Sequence, residues 1–66
     1  MNLNKLKGKL VEKGMNVEML ADMIGSERST LYRKFSNFEK LTIGDAAKIK
    51  VALELSNSDA VEIFLD

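Results

Sequence analysis

Residues Val17 to Phe35 read VEMLADMIGSERSTLYRKF, and this stretch decides how the rest of the chain is read. It divides into two short helices joined by a tight turn. The first runs to about Ile24, and the second begins near Ser26 or Glu27. Gly25 stands where the first helix must stop, and glycine takes the left-handed backbone there without a Cβ clash. Ala21 is small where two crossing helices would press closest. Leu31, six residues after Gly25, sets an apolar anchor on the inner side of the second helix. Leu20, Ala21, Ile24, Leu31 and Phe35 then point one way, and Arg28, Ser29, Tyr32 and Arg33 point the other.

On the N-terminal side, Asn2 to Lys13 has the spacing of a first helix. Leu3, Leu6 and Leu10 recur at three and four residues, with lysines opposite. Asn2 is suited to cap its start and Gly14 to end it. Gly8 inside it is either a close helix contact or a tolerated weakness. Met15 is expected to pack on the core just before Asn16, which caps the next helix, with Glu18 in its first turn.

On the C-terminal side, Ser36 to Leu41 (SNFEKL) reads as a loop, with Phe38 and Leu41 folding back onto the core. Thr42-Ile43-Gly44-Asp45 has the pattern of a capping box with Asp in place of Glu. Ile43, Ala46, Ile49 and Leu53 would form one apolar stripe. Ser56-Asn57-Ser58-Asp59 repeats the box and opens a last helix that ends with Val61 to Asp66. The expected architecture is all-α, five helices in a single domain over 1–66, with no strand pattern and no repeat.

Length and composition narrow the function. A chain of 66 residues buries only about 60% of its unfolded surface, so its core is small. It has no Cys and no His. Disulfides, thiolate zinc sites and the commonest general base are therefore absent. No apolar run reaches membrane-spanning length, and MNLNKLKGKL lacks the apolar region of a secretory signal, so a cytoplasmic setting is expected. The serines have no activating histidine, and the isolated glycines build no phosphate loop. The expectation is no enzyme activity, no cofactor, no metal and no small-molecule ligand.

Net charge is zero, but its distribution is uneven. Residues 1–40 hold eight Lys and Arg against five Asp and Glu, or +3, and residues 41–66 hold two against five, or −3. The basic half contains the two-helix stretch, which has the form of a helix-turn-helix, the motif that sets its second helix into the DNA major groove. Arg28 and Arg33 are offset by about 140° around the helix and flank its outer face. An Arg fork suits guanine or a phosphate, Ser29 reaches either, and Tyr32 suits backbone or a thymine methyl. Asn37 and Lys40 are either phosphate contacts or polar loop filler. Glu27 either accepts from a cytosine amino group or caps the helix and faces away.

Leu20-Ala21, Ile24-Gly25, Ser29 and Leu31 resemble the helix-turn-helix of lambda-type phage repressors and Cro proteins. Leu6-Lys7-Gly8-Lys9, Ser29 to Lys34, Leu41 to Asp45 and Ile63-Phe64 extend the similarity to small phage-encoded regulators over nearly the whole chain. The resemblance implies a five-helix lambda-repressor-like DNA-binding domain in a bacterial host cell. It implies a transcription regulator bound to a pseudo-palindromic operator as a homodimer, at least on DNA. Base reading falls to Arg28, Ser29, Tyr32 and Arg33, and phosphate contact to Asn16, Ser26, Asn37 and Lys40. Lys34 replaces an apolar residue common on the inner side of this helix in the family, which would leave it free to reach phosphate. Val17 stands where family members often have a phosphate-binding Gln. Val61, Phe64 and Leu65 on the last helix are the expected dimer surface, or else simple packing over the bundle. The alternative is a protein-interaction module, such as an antirepressor or antitoxin-like partner.

Overall fold

The computed structural model of the protein describes residues 2–65. It holds α1 (Leu3–Glu12), α2 (Val17–Ile24), α3 (Arg28–Ser36), α4 (Ile43–Ala52) and α5 (Asn57–Phe64). No strand occurs among the described residues. Asp66, expected in the last helix, lies outside them.

Four helices start on a side-chain cap that the sequence makes explicit. Asn2 accepts from the Lys5 N–H, Asn16 from Met19, Thr42 from Asp45 and Ser56 from Asp59, at 2.9–3.0 Å. Each such bond satisfies a donor that the helix start leaves orphaned. At Thr42 the box is complete, because Asp45 Oδ2 accepts the Thr42 N–H at 3.1 Å. At Ser56 only half of the expected box forms. The Asp59 carboxylate turns instead to Lys9, 3.1 Å away. Glu27 precedes α3 but makes no side-chain cap.

The core is entirely apolar: Leu6, Leu10, Leu20, Ala21, Leu31, Phe35, Leu41, Ile49, Leu53, Leu55, Ile63 and Phe64. All five expected inward residues of the central stretch lie in it or against it, with Ile24 partly buried. α2 packs on α3 and α4, while α1 packs on α5. Gly25 takes φ 71°, and the Ser26 N–H donates to the Ala21 carbonyl at 2.9 Å, so α2 stops and α3 starts after three residues. α1 ends similarly at Gly14, with the Met15 N–H on the Leu10 carbonyl. α4 ends with the same pattern, Leu55 N–H on Lys50 carbonyl, although the left-handed residue there is Glu54.

Two local expectations are corrected and one open alternative is settled. SNFEKL is not an open loop, because Phe38–Lys40 form one 3-10 turn. Its i to i+3 bonds set Phe38 and Leu41 on the same side, both toward the core. Phe38 meets Phe35 edge-on at 6.2 Å and stacks on Phe64 at 6.3 Å. Ile43 is 91% exposed and leaves the α4 stripe. Each three-residue step drifts about 60° around a helix, so Ile43 ends about 120° from Ile49. Gly8 answers its open question, because a Cβ there would meet nothing within 4 Å. It is a tolerated weakness and not a close contact.

Candidate functional site

The outer face of α3 is built by the burial of its inner face. Leu31 and Phe35, one turn apart, are held in the core, which forces Arg28, Ser29, Tyr32 and Arg33 into solvent. All four residues expected on this face are exposed, and Tyr32 retains 47% of its surface.

The structure adds a partner that the sequence reading missed. Arg28, the first residue of α3, meets Asp22 on α2 with Nη2 2.7 Å from Oδ2 and Nε 3.3 Å from Oδ1. This two-pronged pair spans the turn. The Arg28 hydrogen bond holds the Asp22 carboxyl below its usual range, and the Asp22 bond raises Arg28 in turn. Six residues is not a helical spacing, so only the turn geometry could reveal the contact.

The opposite end of α3 gathers a different set. Thr30, Arg33, Lys34, Asn37 and Lys40 line a shallow notch of ≈ 370 Å³. Arg33 Nη2 donates to Thr30 Oγ1 at 3.4 Å. Asn37 closes α3, its N–H donating to the Arg33 carbonyl. Lys40 ends the 3-10 turn and is exposed. Lys34 is not free as expected: its Nζ lies 2.7 Å from Asp45 Oδ2, and both side chains are half-buried. Burial raises the Asp45 carboxyl, but Lys34 and the Thr42 donors outweigh it and leave the group below its usual range. Asn16 and Ser26 lie outside the notch. Asn16 spends its carbonyl oxygen on the α2 cap, which leaves its NH2 to donate outward. The Ser26 hydroxyl donates to the Glu27 carbonyl at 3.3 Å.

The charge asymmetry of the two halves is largely resolved by pairing between them. Lys5 bonds Glu62 and lies 3.6 Å from Asp59, and Lys9 also reaches Asp59. Lys5 and Lys9 thus face α5, and Lys7 alone of the α1 lysines matches the solvated face expected for them. Of the eight cations in residues 1–40, Lys7, Lys13, Arg33 and Lys40 make no ion pair among the described residues. Two of those four line the notch.

A second surface lies between α4 and α5. Ile43, Ala46, Ala47, Val61, Phe64 and Leu65 line an apolar groove of ≈ 440 Å³. Val61 is half-exposed and Leu65 is 79% exposed. Phe64, expected at a dimer surface or else packed over the bundle, belongs to the core and also lines the groove. Among the described residues no cluster of His, Cys, Asp or Glu could hold a metal, and no helix is long and apolar enough to cross a membrane.

Comparison with protein-family models, characterised proteins and solved structures found no match to this chain.

Proposed function

We propose that the chain is a sequence-specific DNA-binding regulator of the lambda-repressor and Cro kind, with α2 and α3 as its helix-turn-helix. The observation that carries this reading is the division of α3. Its inner side chains are buried beside a three-residue turn on Gly25, while Arg28, Ser29, Tyr32 and Arg33 share its solvent side. A helix so presented can enter a major groove as a rigid body, because the packing that orients it lies on the other face. Asp22 orients Arg28 and shares its donors with any base edge. Ser29 and Tyr32 carry no such competitor among the described residues. A second copy joined through the α4–α5 groove would present two α3 helices about 34 Å apart on a two-fold operator.

The alternative, a protein-interaction module, is favoured by the apolar groove itself, since an exposed concave apolar surface suits a partner chain. Selection of bound duplexes from a random pool at about 0.1 M salt separates the two. A two-fold symmetric sequence is the expected outcome, with Arg28→Ala and Ser29→Ala relaxing it. Recovery of no sequence would remove the DNA reading and leave the protein partner.

A further inference from the structure

The notch at the C-terminal end of α3 presents an imbalance. Arg33, Lys34 and Lys40 bring three positive charges to one concave site, and one carboxylate, Asp45, answers them from behind. That carboxylate is committed twice. Its Oδ2 accepts the Thr42 N–H at 3.1 Å as part of the α4 cap and accepts Lys34 Nζ at 2.7 Å. Asp45 would give up both bonds to swing out to Arg33 or Lys40, and those two charges have no ion-pair partner among the described residues. Their donors face solvent beside the Asn37 amide.

We infer that Asp45 competes for Lys34 with the DNA backbone phosphate expected at Asn37 and Lys40, and that Arg33 joins that phosphate contact. The inference rests on the DNA-binding reading and assigns Arg33 to the backbone, leaving Arg28, Ser29 and Tyr32 to the bases. A phosphodiester presents two acceptor oxygens and one negative charge, which the Arg33 fork and the Lys40 ammonium can meet together. Lys34 adds a third donor only as far as it leaves Asp45. The Asp45 charge meanwhile repels the incoming phosphate. This arrangement weakens the notch contact alike on every sequence, and so acts as a brake on backbone binding.

Asp45→Asn tests the brake, because an amide oxygen still accepts the Thr42 N–H while the charge is gone. Affinity for a random-sequence duplex is measured between about 50 and 200 mM salt. The expected result is tighter binding by Asp45→Asn, with a salt slope steeper by about 0.9 at most, because Lys34 joins a phosphate that Arg33 and Lys40 already meet. Arg33→Ala and Lys40→Ala should each flatten the slope, equally for all sequences and by about 0.9 at most between them, because they share one phosphate. Asp45→Ser, a second uncharged variant, should match Asp45→Asn. In parallel, inorganic phosphate is titrated into the wild-type protein, and Arg33, Asn37 and Lys40 amide shifts are followed. Unchanged slopes in both Asp45 variants overturn the brake. Duplex binding with unaltered slopes in Arg33→Ala and Lys40→Ala overturns the notch but leaves the DNA reading standing. Phosphate shifts without any duplex binding overturn the DNA reading, and the inference with it, while leaving an anion site.

Discussion

Two helix pairs frame the core, and they are held by different forces. α2 and α3 meet over fully buried Leu20, Ala21 and Leu31, with Gly25 closing the turn between them. α1 and α5 meet through Leu6 and Ile63, one backbone bond from Asn2 to the Ile63 carbonyl, and a lysine–carboxylate network on the surface. The first pair has no slack, since Ala21 has no exposed surface. The second also buries Leu6 and Ile63 completely, but much of its remaining contact is the surface ion-pair network, and α1 carries an exposed Gly8 with open space beside it. Close packing is geometrically strict and indifferent to salt, whereas exposed ion pairs are tolerant and screened. The pair proposed to read DNA is thus the stiff one, which suits a surface whose side chains must arrive in register.

The largest expected effect follows from breaking the stiff pair. Ala21→Leu forces three more carbons into filled space and should cost about 2–3 kcal/mol in a denaturant titration. A cost under about 0.5 kcal/mol would show that α2 and α3 are not closely packed. Gly25→Ala comes next, at about 1–2 kcal/mol, because a Cβ there is strained by φ 71° even though nothing lies within 4 Å of it. Gly25→Asn should lose less, which would assign the cost to the backbone and not to contact. On the tolerant pair the sign reverses. Gly8→Ala should gain about 0.5–1 kcal/mol, read as a higher melting temperature, since an exposed helix interior prefers Ala.

The smallest effect is electrostatic. The Lys9 hydrogen bond holds the Asp59 carboxyl below its ordinary value of 3.8. The unfolded chain then binds the proton first as pH falls. Stability from Asp59 is complete above that ordinary value and disappears as pH drops through the lower folded value. Asp59→Asn should narrow the gap between melting temperatures at pH 7 and pH 2–3, and high salt should narrow it similarly. An unchanged gap would remove the α1–α5 network from the account.

Much of this fold is written within short windows. The caps at Asn2, Asn16, Thr42 and Ser56, the stop at Gly25 and the inward residues Leu31 and Phe35 each depend on neighbours only a few residues away. Their outcome is local geometry. The exposure of Arg28, Ser29, Tyr32 and Arg33 was legible for the same reason. What these side chains touch was not. Lys5 reaches Glu62, 57 residues on, and Lys34 reaches Asp45 across the 3-10 turn, contacts that no spacing announces. Ile43 was misplaced because a run of three-residue steps resembles a stripe while drifting steadily off it.

The sequence by itself determined five helices, their starts, the turn at Gly25 and the polar side of α3, because hydrogen-bond capping and helical periodicity act over a few residues. Only the tertiary structure decided which charges stay unpaired. It withdrew Lys5, Lys9 and Lys34 into cross-chain pairs, left Arg33 and Lys40 together in one notch, and buried Phe64 beneath an apolar groove. Coulombic and packing partners are chosen by proximity in space, and that proximity exists only after the helices have docked.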